Sequence, residues 1–382
     1  MMIWLNNQQA AHPNEKLFKT FQSFSNAFPV STQFDKFTQG AKDAEKHLRQ
    51  LANIDDSYQF FFTSSGTEAI KNVFLYLFLQ GIHKKIIKRI AIPSTDEQAT
   101  IHILNELQRY NAHYDWIRTN ENGVITAKAV ETAINNKASI ISMPWADGLT
   151  GIIHPLNEIM EVCQDKGALI HVNATHILGK GYYPFEVHFP DFLSFDGLPL
   201  HSLSGTGGIF IKNQLITDSL LFSNSLNQNF FSNTYHPALP IVLGEAAFEM
   251  SSQQDRMCME TLRLRNFFEE SLSQAIPGIQ ILFKEQERLP NVSLINFSDI
   301  SAETLAFLLY QKNIYGSIGY GNFQGLSMVL QACGISPLLC HSTISFALSR
   351  LTTQEEVIAT INAITDCITQ LKKRSYQPIL SD

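Results

Sequence analysis

This chain is short of charge, short of patterned cysteine and without a long apolar run. Charged residues make up 16% of its 382 positions, against about 25% in ordinary soluble proteins. So low a fraction implies extensive buried surface, a subunit interface included. The five cysteines, Cys163, Cys258, Cys333, Cys340 and Cys367, are odd in number, scattered and never spaced as Cys-x-x-Cys. That excludes a disulfide framework and a zinc knuckle. Basic residues are in deficit, with a net charge of −7, which argues against nucleic acid or an anionic membrane as partner. The longest apolar stretch, Val73–Leu79, is far below the roughly 20 residues that span a bilayer. Met1-Met2-Ile3-Trp4-Leu5-Asn6-Asn7 offers neither a basic nor an apolar leader region, so the expected compartment is the cytoplasm. Internal repeats, low-complexity tracts and charge blocks are absent.

What is present is a folding composition. With 45% hydrophobic residues the chain can bury sizeable cores, and its length predicts two or three units at about 150 residues each. Short apolar runs at Gln59–Phe62, Ile90–Ile92, Tyr114–Ile117, Ser139–Met143, Ala168–Val172, Phe192–Phe195 and Gly208–Ile211 read as strands. Between them apolar residues recur at helical spacing, as in Ile101, Leu104 and Leu107, then Leu156, Ile159, Met160 and Cys163. Strands alternating with helices predict an α/β fold with a mostly parallel, doubly wound sheet, whose ligands bind beyond the carboxyl ends of the strands. A long helical stretch from Pro237 to Ala275 follows, then a smaller α+β unit. Its last helix opens with the capping pair Thr353 and Glu356, and Val357, Ile358, Ile361, Ile364, Ile368 and Leu371 form one apolar face expected in the core.

The most informative local feature is Phe60-Phe61-Phe62-Thr63-Ser64-Ser65-Gly66-Thr67-Glu68, a strand entering a small-residue turn and then a helix. Ser65 and Glu68 have capping-box spacing, so the turn is expected to present free backbone N–H groups to an anion. The same pattern is also the ordinary way to start a helix. Leu203-Ser204-Gly205-Thr206-Gly207-Gly208 resembles a glycine-rich anion loop but lacks a P-loop lysine, and reads equally as a tight turn into a strand.

The order of strand, Thr63-Ser64-Ser65-Gly66-Thr67-Glu68 and, further on, His171-Val172-Asn173-Ala174-Thr175-His176 resembles the class V aminotransferase-fold family of cysteine desulfurase type, which uses pyridoxal phosphate (PLP). The resemblance runs from Trp4-Leu5-Asn6, through Asn122-Gly123-Val124-Ile125 and Thr150-Gly151-Ile152-Ile153-His154-Pro155, to Ile344–Arg350 with Thr352-Thr353. It implies the type I fold of PLP-dependent transferases, with a large domain over residues 15–255 and a small domain of 1–14 plus 256–382. It also implies a homodimer, or a dimer with a paralogue, and sulfur-transfer or iron–sulfur assembly proteins as partners.

The family's chemical positions are altered here. Pro199 stands where the resemblance places the Schiff-base lysine, and Gly319 where it places the nucleophilic cysteine, so no catalytic residue is assigned. Asp196 and Leu198 replace a Ser and a His beside the phosphate, and a carboxylate at Asp196 would repel a phosphate dianion. Asn173 replaces the Asp that holds a pyridine nitrogen protonated, and a neutral amide cannot do this by charge. Glu97 falls where a His stacks on the ring, and Ser345 where an Arg meets the substrate carboxylate. The positions implied to line the cofactor cleft are Ser65, Gly66, Thr67, Asp147, Asn173, His176, Asp196 and Thr234. Cys333 and Cys340 lie in apolar contexts and read as buried structural thiols.

Three functional readings follow. The first is a member that has lost PLP catalysis and acts as a binding or regulatory homologue. The second is an active PLP transferase or desulfurase with a rearranged site, its lysine being Lys180 or Lys212. The third, a hydrolase, has only loose material in Ser202, His201 and Asp196. A metal site from His171, His176 and His201 is disfavoured, because residues five apart at a strand end do not share a face.

Overall fold

In a computed structural model of the chain, the described residues are 2–25, 31–83, 89–181, 185, 188–216, 236 and 238–375. The elements are β1 (Ile3–Trp4), α1 (Glu15–Ser25), α2 (Ser31–Ala52), β2 (Tyr58–Thr63), α3 (Gly66–His83), β3 (Arg89–Pro93), α4 (Gln98–Gln108), β4 (His113–Ile117), α5 (Ala127–Asn135), β5 (Ile140–Pro144), α6 (Leu156–Asp165), β6 (Leu169–Asn173) and β7 (Phe192–Asp196). They continue as β8 (Gly207–Lys212), α7 (Ala238–Ser252), α8 (Gln254–Ala275), β9 (Ile279–Ile281), β10 (Val292–Phe297), α9 (Ala302–Gln311), β11 (Ile314–Tyr315), α10 (Leu326–Ala332), α11 (Pro337–Cys340), β12 (Thr343–Ala347) and α12 (Gln354–Ser375).

A seven-stranded sheet carries the order β2-β8-β7-β6-β5-β3-β4. Every run expected to be a strand is in it. All but β8 point the same way; β8 is antiparallel to both β7 and β2. The reversal has a local cause, since only a short loop and the single 3₁₀ turn Leu198–Leu200 join β7 to β8, too little chain for a helical crossover. Successive strand residues enter opposite cores. Ile141, Val172, Leu193 and Phe210 pack on one face, and Ile140, Phe192, Ile209 and Ile211 on the other with Ile70 and Phe74 of α3.

A second core forms where α8, α9 and α12 cover the antiparallel sheet β12-β10-β9, and Ile3 and Leu5 join it because β1 pairs in parallel with β11. The helix expected from Pro237, which lies outside the described residues, to Ala275 is two: α7 and α8 part at Gln253. Ser251 and Ser252 stand just before the break, and serine hydroxyls compete for backbone hydrogen bonds. In α12 the capping box forms as expected. Glu356 N donates to Thr353 Oγ1 at 3.2 Å and Thr353 N to Glu356 Oε2 at 2.9 Å. Val357, Ile361, Ile364 and Ile368 are buried, but Ile358 is 41% exposed, outside the face assigned to it. Among the described residues no helix is long and apolar enough to cross a membrane.

Because α12 closes the second core from outside, its cap bears on global stability. Thr353→Ala is expected to lower unfolding free energy by about 1 kcal/mol, read as a lower urea midpoint at unchanged slope; an unchanged midpoint would show that the cap does not anchor the helix.

Candidate functional site

The carboxyl ends of β2, β3, β5, β6 and β7 open on one side of the large sheet, and the loops leaving them carry nearly all the residues singled out above. The turn after β2 starts α3 as expected, with Ser65 Oγ accepting from Glu68 N at 3.1 Å. The return bond is displaced by one residue, because Glu68 reaches Ser64 rather than Ser65, accepting from its N–H at 2.5 Å and its hydroxyl at 2.6 Å. The N–H of Gly66 is not free. It donates to Asp196 Oδ2 at 2.7 Å, while Asp196 Oδ1 accepts from Leu198 N at 2.8 Å. The carboxylate at the end of β7 therefore caps α3, where the helix dipole favours an anion. Burial raises the Asp196 pKa from the ordinary carboxylate value, and the two backbone N–H bonds work against that rise.

Next along the sheet, Asn173 Oδ1 accepts from Thr175 N at 3.1 Å, which fixes the amide's orientation and leaves Nδ2 buried with no partner among the described residues. His176 Nε2 lies 2.8 Å from Glu97 Oε1, and its ring packs at 5.4 Å against Phe323. Asp147 spends Oδ1 on its own turn, accepting from Leu149 N at 2.9 Å and Thr150 N at 2.8 Å. Burial raises the pKa of Asp147 and, further, that of Asp96, whose neighbours Glu97 and Asp147 add like charge. Thr67 sits in the first turn of α3. Thr234 lies outside the described residues.

Pro199 is buried in the 3₁₀ turn after β7. Gly319 occupies a closed turn, with φ at +87° and Leu326 N donating to Ile318 O at 2.8 Å. A Cβ at position 319 would lie 2.3 Å from Gln324 O and 2.4 Å from Leu326 N, so no cysteine side chain fits this backbone. The turn is also tied to the loop after β3, since Gln324 Nε2 donates to Ser94 O and Asp96 O, both at 2.9 Å, and Gln98 N donates to Asn322 O at 3.0 Å. The five thiols are not activated elsewhere. Burial holds every one of their pKa values above the ordinary thiol, Cys163 and Cys333 at about 12 and Cys258 at about 11.

The hydrolase and metal sets do not assemble. His201 Nδ1 faces His12 O at 2.7 Å rather than Asp196, and Ser202 Oγ is buried without a partner among the described residues. His171 lies inside the sheet between Ser142 Oγ and Ser194 Oγ, each at 2.8 Å, and burial lowers its pKa to about 3. No group of three metal-ligating side chains occurs among the described residues. The glycine-rich stretch is the tight turn into β8, pinned by Thr206 Oγ1 donating to Leu203 O at 2.7 Å. Phe323 and Gln324 were not legible as cleft residues in the sequence; the hydrogen bonds of Gln324 to Ser94 O and Asp96 O and the packing of Phe323 on His176 bring them there.

Comparison with known proteins places this geometry. The family model described as "Aminotransferase class-V" matches residues 15–359. A cysteine desulfurase of Nostoc sp. is 24% identical over 363 residues, 94% of this chain and 89% of its own length. The cysteine desulfurase IscS of Shewanella frigidimarina is 26% identical over 338 residues, 87% of this chain and 82% of its own. A solved NifS-like protein superposes with a TM-score of 0.86 at 19% identity, covering 97% of this chain and 100% of the other, and DndA from Streptomyces lividans with 0.73 at 18%, covering 89% and 98%. With the family model spanning most of its length and solved structures sharing its mostly parallel fold, this chain belongs to the class V aminotransferase family and is cysteine desulfurase-like.

Proposed function

We propose that this chain is a desulfurase-like protein that has given up PLP catalysis and serves as a binding or regulatory homologue. The observation that carries the reading is the bond from Gly66 N to Asp196 Oδ2 at 2.7 Å: the helix terminus that would meet the cofactor's phosphate already holds an internal carboxylate. The rest of the donor set does not fit PLP either. Pro199 has no amine, Asn173 presents an unpaired amide N–H where a carboxylate would hold a pyridinium, and the turn at Gly319 leaves no room for a cysteine. In this reading Ser65, Gly66, Thr67, Asp147, Asn173, His176 and Asp196 line a cleft kept for recognition, and Thr234, outside the described residues, keeps only the role the resemblance implies. The chain divides into 15–255 and 1–14 with 256–382, acts in the cytoplasm as a homodimer or beside a paralogue, and meets sulfur-transfer or iron–sulfur assembly proteins.

One observation favours the alternative of an active enzyme with a rearranged site. Lys180 has a buried amine with no partner among the described residues, and burial lowers its pKa to about 8, in the range of a nucleophilic lysine. It lines a cavity with Pro199 and Arg350, however, and Asn173, His176 and Asp196 are not in that wall. Lys212 is paired with Asp191 at 3.0 Å.

Two experiments test the proposal. Sulfide release from cysteine, with PLP and a thiol reductant supplied, is expected at background for the native chain and also for Pro199→Lys, since Asn173 and Asp196 remain; turnover by either would refute the loss of catalysis. Asp196→Ser frees the Gly66 N–H and removes a charge from the phosphate's place. Pyridoxamine phosphate, which has no carbonyl to form a Schiff base, is expected to raise the melting temperature of this variant and not of the native chain. Equal stabilisation of both would show that Asp196 does not block the turn.

A further inference from the structure

Between the loops that follow β6 and β7 and the end of β12 lies a cavity of about 30 Å³, separate from the cleft above. Lys180, Pro199 and His201 come from the large sheet's side, Asn291 and Arg350 from the second sheet, and Cys258 from α8. Two cations thus meet in one wall, and among the described residues no Asp or Glu lines it. Arg350 is 8% exposed at its side chain and donates through one terminal nitrogen to Glu249 Oε2 at 3.0 Å, but its Nε has no partner among the described residues. Lys180 Nζ and Asn291 Oδ1 are likewise buried and unpartnered there. Apart from Glu249 on Arg350, the titratable neighbours among the described lining residues supply no anion. His201 is neutral, its pKa lowered by burial, Arg350 and Lys180 to about 3, and the Cys258 thiol is held protonated by burial.

A buried ammonium without a counter-charge is among the costliest groups a fold can hold. An apolar cavity would stay empty, but one with three unmade polar bonds is shaped for polar contents. We propose that this cavity binds a small monoanion, a carboxylate or oxyanion that fills the space of about two or three water molecules, held between Lys180 Nζ and Arg350 Nε. The size limit follows from the volume, since each water-sized group needs roughly 10–15 Å³ by this measure. The site is independent of whether the neighbouring cleft accepts PLP.

The test uses the full chain and two sodium salts, acetate and benzoate, at constant ionic strength set by a bulky sulfonate buffer. Acetate is expected to raise the native melting temperature saturably, by about 2 °C, while benzoate, of equal charge but too large, leaves it unmoved. Lys180→Met, which keeps the side chain's length and removes its charge, is expected to melt higher than the native chain without acetate and to lose the acetate response. The proposal is overturned if acetate has no effect on the native chain, if benzoate stabilises as much, or if Lys180→Met responds like the native chain. The comparison of the two salts on the native chain decides the matter even if the variant fails to fold.

Discussion

The carboxylate of Asp196 on the amide of Gly66 is the contact around which the large sheet's functional edge is arranged. It depends on strand order. Thr63 at the end of β2 and Asp196 at the end of β7 both pair with Gly207 of β8, so the two strand ends lie on either side of a single residue. A Cβ at position 207 would fall 2.7 Å from the carbonyl carbon of Ser65, and glycine alone lets the turn cross over to reach Asp196. The helix terminus, a position that attracts negative charge, is thereby satisfied within the chain. The reversed strand and the short 3₁₀ connection through Pro199 hold that arrangement in place.

The altered positions reinforce one another. With Asp196 at the helix terminus, a phosphate would compete with a fixed, buried carboxylate in a medium where repulsion is poorly screened. Asp96, Glu97 and Asp147 gather close by; burial raises the pKa values of Asp96 and Asp147, and the like charge of Glu97 and Asp147 raises that of Asp96 further. His176 is the basic group among them and is already paired with Glu97. The loop that includes Gly319 is hydrogen-bonded down onto Ser94, Asp96 and Gln98. A cleft so acidic, closed by a turn with no thiol, suits recognition of a partner or a non-phosphorylated ligand better than sulfur transfer.

Much of this was legible in the sequence, and the limits were physical. Strand runs such as Ile90–Ile92 were plain because both faces of the sheet are covered, so every residue of the run is apolar. The break at Gln253 was not, because Ser251-Ser252-Gln253-Gln254-Asp255-Arg256 contains neither the glycine nor the proline that marks a helix end. Ile358 fits the periodicity of α12 but lies at the rim of its buried face, where a rotation of a few tens of degrees decides exposure. At the site, the resemblance to the family is what pointed to positions 173, 196, 199 and 319 as altered. Sequence showed Asp196 only as a repulsive charge; its role as the cap of α3 needs the register of β8, a long-range property. That Lys180 Nζ and Arg350 Nε lie unpartnered in one wall was invisible for the same reason, because the fold alone brings such distant positions together.

The most direct test of the central claim is the near-ultraviolet and visible spectrum of the purified protein before and after addition of PLP, followed by borohydride reduction and mass mapping. A protein whose phosphate turn is internally filled and whose lysine is replaced by Pro199 gives no internal-aldimine band and no reduced adduct. A band with an adduct mapped to Lys180 or Lys212 would contradict the account and establish an active enzyme with a relocated lysine.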